Sequence, residues 1–363
     1  MKCAIVCDTA YQLYNAIRIK MIDYKNDSMD LFVVNQFFQA EVLSERVIKE
    51  KIFNNVYILT NGNKEGNYYR RDIDFYNSKI KEIVLPQRLL QEWTNTKLFF
   101  DDYDILFFSL FMRTHIMLRM LNPKAKVYFF DDGTGSYNGA IFPYGFKLHK
   151  LSFTLQHGLH KLDLNVNTIY LNYPEMATYK DIKIAKIKDD FSITPLLKAV
   201  FDPENIGSEV YKGKKFVYLT EPNDTNIYNY LDKENKVIDI LDCYTCNTVI
   251  RPHPRLNKTE YENTHIIVDT SQLLWEYLIK SMCIENIVLI SDYSTAQITP
   301  KLLFGEEPYL IFLFLIMGYD KSFTDLWMLD VQKIKSVYKT PSKIFVPNTI
   351  DELRRIIDVL SEG

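Results

Sequence analysis

Short apolar segments alternate with longer amphipathic segments along almost the entire chain, and this alternation limits the fold more than any other feature. A short apolar run followed by a helical pattern is typical of a buried parallel strand and its crossover helix. Strands are predicted at 2–7, 31–34, 56–59, 81–85, 105–108, 126–130, 215–219, 248–251, 266–268, 287–290 and 310–316. The sequence therefore predicts an α/β protein with two Rossmann-like, doubly wound domains that face a central cleft.

The strand-and-helix pattern is interrupted once, by a stretch rich in Lys, Asp and Pro. A chain of 363 residues with 47% hydrophobic content is long enough to form two cores. We expect one domain at 1–175, a linker region at 176–213, a second domain at 214–345 and a C-terminal helix at 346–363. Thr349 and Glu352 have the spacing of a capping box, which is typical of a helix start.

Charge and cysteine content restrict the partners and the location of the protein. A net charge of -3 supplies no overall basic field, so no nucleic-acid partner is expected. Five cysteines on a long chain do not resemble a secreted disulfide framework and favour a reducing cytoplasm. The longest apolar run, 309–317, is about half of a bilayer span, so no transmembrane segment is expected. We expect a cytoplasmic protein; peripheral association with the inner face of the cell membrane and a homodimer are both compatible with the sequence.

Two adjacent carboxylates follow one of the predicted strands. Asp131 and Asp132 come directly after 126–130 and precede Gly133. Neighbouring acids at the end of a buried strand raise each other's proton affinity, and such a carboxylate is suited to act as general base for a sugar hydroxyl. An aspartate that caps the turn after the strand is the alternative interpretation.

A histidine enclosed by prolines follows another predicted strand, in Arg251-Pro252-His253-Pro254-Arg255. The prolines restrict the backbone on both sides of the imidazole. Beside arginines, such a histidine can donate a hydrogen bond or a proton to a leaving phosphate, while the cations balance the growing charge. A structural histidine is the alternative. An acid pair after one strand and a held histidine after another together favour transfer of an activated sugar.

Hydroxyl groups precede a predicted helix at 296–303. Ser294 and Thr295 follow the apolar run 287–290, and hydroxyls at a helix start can bind phosphate together with the free backbone amides. They are also ordinary N-caps, and both interpretations stay open.

Polar residues also connect the first strand to its helix. Asp8, Thr9 and Gln12, with Gly133, are candidates for hydrogen bonds to an acceptor sugar. Asp8 or Thr9 can instead cap the helix, which is the alternative interpretation.

These motifs resemble those of a known family. Asp131-Asp132-Gly133, His253-Pro254 and Ser294-Thr295 are similar to the acid-acid-glycine, His-Pro and Ser/Thr motifs of bacterial sialyltransferases. The longer strings at 130–135 and 252–255 are most similar to the lipooligosaccharide sialyltransferases of glycosyltransferase family 52. The resemblance implies a GT-B fold, CMP-sialic acid as the donor, and inversion at the anomeric carbon without a metal or other cofactor. The implied acceptor is an oligosaccharide of a bacterial surface glycan, of the capsule or lipooligosaccharide type.

The resemblance also implies roles for individual residues. The N-terminal domain would bind the acceptor, and the C-terminal domain would bind the nucleotide sugar. Asp132 would be the base, with Asp131 beside it, and His253 would be the acid or hydrogen-bond donor to the CMP phosphate. The implied donor-binding residues are Arg251, Pro254, Arg255, Glu276, Ser294 and Thr295, of which Glu276 would bind the ribose hydroxyls.

One segment departs from the family pattern. Related proteins place an aspartate after a proline that follows the first strand of the nucleotide domain, and that aspartate is a second candidate base. Here the matching position is Asn223, and the neighbouring acids are Glu221 and Asp224. The identity of the base therefore stays open between Asp132 and Asp224 or Glu221, and Glu221 and Asn223 are also candidates for donor binding.

Three alternatives accompany the sialyltransferase hypothesis. The segment 290–294 and the His-Pro pair also resemble polymerases that transfer glycerol phosphate from CDP-glycerol. The same glycosyltransferase family contains enzymes that use UDP-glucose. A glycan-binding protein that has lost turnover is the non-enzymatic alternative.

Overall fold

The structure, a computed structural model, describes residues 1–60, 81, 83–137, 166–222, 227–254, 256, 261 and 264–362. The chain divides into two compact units, Met1–Pro203 and Glu204–Gly363. Each unit contains one parallel β-sheet with helical connections. Within the described ranges, no helix combines the length and the hydropathy that a bilayer span needs.

The first unit contains a seven-stranded parallel sheet. Its strands are β1 (Lys2–Cys7), β2 (Ser28–Val34), β3 (Asn55–Leu59), β4 (Ile105–Phe108), β5 (Lys126–Phe130), β6 (Thr168–Leu171) and β7 (Lys183–Lys186). They lie in the order β3-β2-β1-β4-β5-β6-β7. In the centre, Ile5 is aligned with Leu31 of β2 and Phe107 of β4, and all three side chains are fully buried. Burial on both faces explains the apolar runs 3–7 in β1 and 105–108 in β4.

The second unit contains a six-stranded parallel sheet. Its strands are β8 (Phe216–Leu219), β9 (Thr248–Arg251), β10 (Ile267–Val268), β11 (Val288–Ser291), β12 (Tyr309–Phe312) and β13 (Ile344–Phe345). Their order, β10-β9-β8-β11-β12-β13, is the 3-2-1-4-5-6 order of a Rossmann sheet. The predicted α/β class with two Rossmann-like domains is therefore confirmed.

Helices connect the strands. Their bounds are α1 (Ala10–Arg18), α2 (Ala40–Lys49), α3 (Pro86–Thr94), α4 (Arg113–Leu121), α5 (Thr194–Phe201), α6 (Tyr230–Asp242), α7 (Trp275–Ile279), α8 (Thr295–Phe304), α9 (Phe314–Met317), α10 (Lys321–Val337) and α11 (Ile350–Glu362). At the start of α11 the hydroxyl of Thr349 accepts the N–H of Glu352 at 3.2 Å, as the capping box predicts. The carboxylate of Glu352 accepts the N–H of Asn348 at 2.8 Å instead of that of Thr349.

Two predicted strands are wrong in whole or in part. Lys81, Ile83 and Val84 are helical, and the N–H of Leu85 donates to the carbonyl of Lys81. Val84 and Leu85 are 58% and 46% exposed, so their apolar side chains lack the burial that a central strand provides. The strand predicted at 310–316 ends at Phe312, and α9 follows it. Residues on both sides of this change are fully buried, so the apolar run contains no periodicity that could separate strand from helix.

The segment 176–213, predicted to be a linker region, contains regular structure. It includes β7, which pairs in parallel with β6, and α5. The boundary between the two units falls inside it, between Pro203 and Glu204. Lysines at both ends of β7 are exposed, and charged side chains on an edge strand oppose pairing with another chain.

The two sheets share one topological feature that places the candidate residues. In each sheet the strand order reverses beside its first strand, between β1 and β4 and between β8 and β11. Open α/β sheets bind ligands outside the carboxyl ends of the strands at this point. Asp8 follows β1 and Asp132 follows β5 in the first unit. Glu221 follows β8 and Ser294 follows β11 in the second unit.

Candidate active site

The carboxylate of Asp132 lies just beyond the carboxyl end of β5. Its Oδ1 accepts a hydrogen bond of 2.6 Å from Nε2 of Gln12, and its backbone N–H donates to Oγ of Ser136 at 2.8 Å. None of the described residues donates to Oδ2, and the side chain is partly exposed. Burial raises the pKa of Asp132 to about 7, against the hydrogen bond from Gln12, while the charges of Asp8 and Asp131 add to the increase. A carboxylate that titrates near neutrality, with one oxygen available, is suited to accept a proton.

Asp131 has a different environment from its neighbour. Its side chain is fully buried and accepts four hydrogen bonds. The donors are the backbone N–H of Gly133 at 2.8 Å, the backbone N–H and the side-chain amide of Asn172, each at 3.1 Å, and the hydroxyl of Tyr137. Burial raises the pKa of Asp131, and these hydrogen bonds oppose the increase. Gly133 adopts a φ of 105°, a region that favours glycine. Asp131 therefore holds the turn after β5, as the capping interpretation predicts, and Asp132 presents the available oxygen.

Gln12 lies between the first strand and the acid pair. Its Oε1 accepts the backbone N–H of Asp8 at 2.5 Å, which directs Nε2 toward Asp132. Its own backbone N–H donates to the hydroxyl of Thr9, the N-cap of α1, at 3.1 Å. Gln12 is fully buried and Asp8 is 3% exposed, so in this structure both side chains make internal contacts.

A buried polar network supports this turn, and the sequence analysis did not identify it. Arg18 donates to Oδ1 of Asn15 at 3.1 Å and to Oδ1 of Asn172 at 2.5 Å. Asn15 donates to the carbonyl of Asp131 at 3.2 Å. The only signal in the sequence is that Gln12, Asn15 and Arg18 recur at a three-residue spacing, which places polar side chains on one helix face. These contacts connect α1, β5 and β6, so they fix the position of the acid pair.

His115 is a second residue that the sequence analysis did not identify. It lies in the first turn of α4, is fully buried, and its Nε2 lies 3.3 Å from Oδ2 of Asp8. A single histidine in a helix is a weak signal, because its partner is distant in sequence.

In the second unit, Glu221 lies at the end of β8. Its Oε1 accepts a hydrogen bond of 3.0 Å from the hydroxyl of Ser291, and the hydroxyl of Ser294 also donates to this carboxyl group. Burial raises the pKa of Glu221 to about 8, and the nearby charge of Asp292 adds to the increase. Ser294 is the N-cap of α8 and Thr295 is its first residue, so Glu221 contacts the start of this helix.

The loop after β9 contains His253. Its backbone N–H donates to the hydroxyl of Thr220 at 2.9 Å, which connects this loop to the end of β8. The side chain of His253 is partly exposed, and Pro254 is exposed. Three of the predicted site residues in the second unit lie outside the described residues. They are Arg255 in this loop, and Asn223 and Asp224 after β8.

Arg251 has internal partners. Its guanidinium pairs with Asp269, donates to the hydroxyl of Tyr211 at 3.0 Å and lies 5.3 Å from the ring centre of Trp275. Glu276 follows Trp275 in α7 and is 7% exposed. The indole of Trp275 donates to the carbonyl of Ala296 at 2.7 Å, so this cluster positions α7 against the first turn of α8.

No family model matches this sequence, and no curated protein is similar to it by sequence. Solved structures are similar to it in fold. The α-2,3-sialyltransferase of Photobacterium phosphoreum has a TM-score of 0.52 at 10% identity, over 95% of this chain and 98% of the other. The calicheamicin glycosyltransferase CalG4 has a TM-score of 0.54 at 8% identity, over 99% and 90%. The UDP-GlcNAc 2-epimerase of Methanocaldococcus jannaschii, solved with UDP-GlcNAc and UDP, has a TM-score of 0.50 at 13% identity, over 99% and 92%. The protein therefore has the α/β fold of the GT-B enzymes.

Proposed function

We propose that this protein is an inverting glycosyltransferase that transfers sialic acid from CMP-sialic acid to a hydroxyl of a bacterial surface glycan. Asp132 takes the proton of the acceptor hydroxyl as its oxygen attacks C2 of sialic acid. The bond from C2 to the phosphate oxygen breaks, and CMP leaves. The observation that carries the proposal is the Asp132 carboxylate, whose pKa burial raises to about 7 and whose Oδ2 accepts no hydrogen bond from the described residues, at the carboxyl end of a strand in a Rossmann-like sheet.

Donor binding is assigned to the second unit. CMP leaves with growing negative charge on its phosphate, so groups that stabilise this charge lower the barrier. His253, held by Thr220 at the end of β8, donates a hydrogen bond or a proton to the phosphate. The start of α8, at Ser294 and Thr295, supplies backbone N–H groups and the positive end of the helix dipole.

The hydroxyl of Ser294 contacts Glu221 in the structure. Donor binding on this hydroxyl would exchange that contact for one to the phosphate, and the pKa of Glu221 at about 8 keeps its carboxyl group largely uncharged at neutral pH. A neutral carboxyl group beside a phosphate avoids repulsion between two anions. This supports an anionic ligand at the start of α8.

The proposal includes no metal ion, because His253 and the α8 start carry the charge of the leaving phosphate. Activity that is unchanged by EDTA is expected, and activity that EDTA abolishes and Mg²⁺ or Mn²⁺ restores would contradict this part of the proposal. The proposed location is the cytoplasm, at the inner face of the cell membrane, and all five cysteines are free thiols in the structure.

A donor screen tests the proposed function. The protein is incubated separately with CMP-sialic acid, CDP-glycerol, UDP-glucose and UDP-GlcNAc, each with and without an oligosaccharide acceptor, and nucleotide release and the product linkage are measured. Release of CMP with formation of a sialylated product is expected. Turnover of CDP-glycerol or of a UDP-sugar alone would assign a different donor, and glycan binding without release from any donor would favour the non-enzymatic alternative.

A further inference from the structure

Asp8 and His115 form a buried pair beside the proposed base. Nε2 of His115 and Oδ2 of Asp8 lie 3.3 Å apart, and neither atom forms a well-aligned hydrogen bond to any described residue. Nδ1 of His115 accepts the backbone N–H of Met112 at 3.2 Å. A ring nitrogen that accepts a hydrogen bond carries no proton, so in the neutral ring the proton is on Nε2, which lies 3.3 Å from Oδ2 of Asp8.

The pair connects to Asp132 in two ways. The backbone N–H of Asp8 holds Oε1 of Gln12 at 2.5 Å, which leaves Nε2 of Gln12 to donate to Asp132. The negative charge of the Asp8 carboxylate also opposes ionisation of Asp132. Asp8 therefore orients the proposed base through its backbone and repels it through its side chain.

The groups that face the pair come from several elements. Gln36, which follows β2, donates to Oδ1 of Asp8 at 3.1 Å. Asp131 and Asp132 contribute negative charge from the turn after β5, and the buried thiol of Cys7 precedes Asp8. The ring of Phe108 contacts the imidazole edge to face, at 4.9 Å between ring centres. Among these groups, His115 places a ring nitrogen 3.3 Å from Oδ2 of Asp8.

We propose that Asp8 and His115 form a buried pair that sets the negative charge facing the Asp132 carboxylate. His115 limits the effect of Asp8 by placing a ring N–H beside Oδ2. The inference rests on the proposed role of Asp132 as the base. His115 acts through Asp8 and contacts no reacting atom.

The test is a direct titration of Asp132 in the full chain. The carboxyl carbons of aspartate are labelled with ¹³C and followed by NMR against pH, and the Asp132 signal is assigned by its loss in Asp132→Asn. Asp8→Asn keeps the backbone N–H that holds Gln12 but removes the charge, so the titration midpoint of Asp132 is expected to fall by about one pH unit. His115→Phe leaves the Asp8 charge without its N–H neighbour, so the midpoint is expected to rise.

The double variant isolates the path of the effect. In the Asp8→Asn background, His115→Phe is expected to leave the midpoint unchanged, because the charge on which His115 acts is absent. Unchanged midpoints in both single variants, or equal His115→Phe shifts with and without Asp8, would overturn the inference. If His115→Phe does not fold, Gln36→Ala removes an exposed donor to Asp8 and is expected to raise the midpoint; an unchanged midpoint there overturns the inference as well.

The NMR measurement does not depend on a donor. Shifted midpoints in a protein that transfers no sugar would leave the pair in place and contradict the proposed function. Sugar transfer that Asp132→Asn abolishes, together with midpoints that Asp8 and His115 do not change, would support the proposed function and overturn the pair.

Discussion

Nε2 of Gln12 donates a hydrogen bond of 2.6 Å to Oδ1 of Asp132, across 120 residues of sequence. The bond joins the first turn of the chain's first helix to the turn after β5. Because it stabilises the ionised carboxylate, it lowers the pKa of Asp132 against the effect of burial. Gln12 thus limits how far the proposed base departs from the usual range of an aspartate.

Replacement of Gln12 by Met tests this relationship. The variant retains the volume of the buried side chain but removes the donor, so the pKa of Asp132 is expected to rise above about 7. The low-pH limb of the kcat/KM profile should move to higher pH by about 0.5–1 unit. Gln332→Met, on the exposed face of α10, is the matched control and should leave the profile unchanged. A Gln12→Met profile that coincides with that of the unmodified protein would contradict the assignment.

The two adjacent aspartates are expected to respond differently to the same substitution. Asp132→Asn removes the available carboxylate oxygen and should lower kcat by about 10²–10⁴-fold with little loss of stability. Asp131→Asn replaces an acceptor of four hydrogen bonds and should lower the free energy of unfolding by about 2–4 kcal/mol. Turnover and urea denaturation of both variants are measured side by side. Equal losses of activity at equal stability would mean that the two residues share the base function.

Stability should decrease as the pH rises through neutrality. Burial raises the pKa of Glu221 from 4.5 to about 8, so between these values the folded protein holds a proton that the unfolded chain releases. The unfolded state then binds fewer protons, and the free energy of unfolding falls with increasing pH. Glu221→Gln removes this loss. The free energy of unfolding of the variant, relative to that of the unmodified protein, is therefore expected to be higher at pH 9 than at pH 5 by about 1–3 kcal/mol.

The comparison for Glu221→Gln is Glu45→Gln, which alters an exposed carboxylate on α2. Denaturant midpoints of both variants are recorded at pH 5 and pH 9. A stability difference for Glu221→Gln that is the same at both pH values would show that Glu221 does not titrate in this range.

His253 offers a matched pair with a second histidine of the same unit. His253→Asn retains the backbone bond to Thr220 but removes the imidazole, and turnover is expected to fall by about 10²–10³-fold. His265 is 84% exposed and pairs with Asp242, so His265→Asn is the control. Initial rates with the donor found in the screen are compared for the two variants. A similar effect from both would remove His253 from the proposed mechanism.

Much of the architecture is present in the sequence. Strands such as β1, β5 and β11 are mostly buried, so their residues are mainly apolar, and the turns that follow them contain Asp8, Asp131, Asp132 and Ser294. This local pattern was sufficient to predict the α/β class and the positions of the candidate residues along the chain. It failed at 81–85, where Val84 and Leu85 are exposed, and at 313–316, where an apolar run has no period that separates a helix from a strand.

Only the tertiary structure decided what each candidate residue does. The residue pattern placed Asp131 and Asp132 side by side without distinguishing them, and only the family resemblance implied Asp132 as the base. The difference arises because Asn172 and Tyr137 bind the first carboxylate, and Gln12 binds one oxygen of the second. His115 and Asp8 are likewise brought together across more than a hundred residues by the adjacency of β1 and β4. Burial and hydrogen bonding determine protonation, and both depend on neighbours that are distant in sequence, so local patterns contain no record of them.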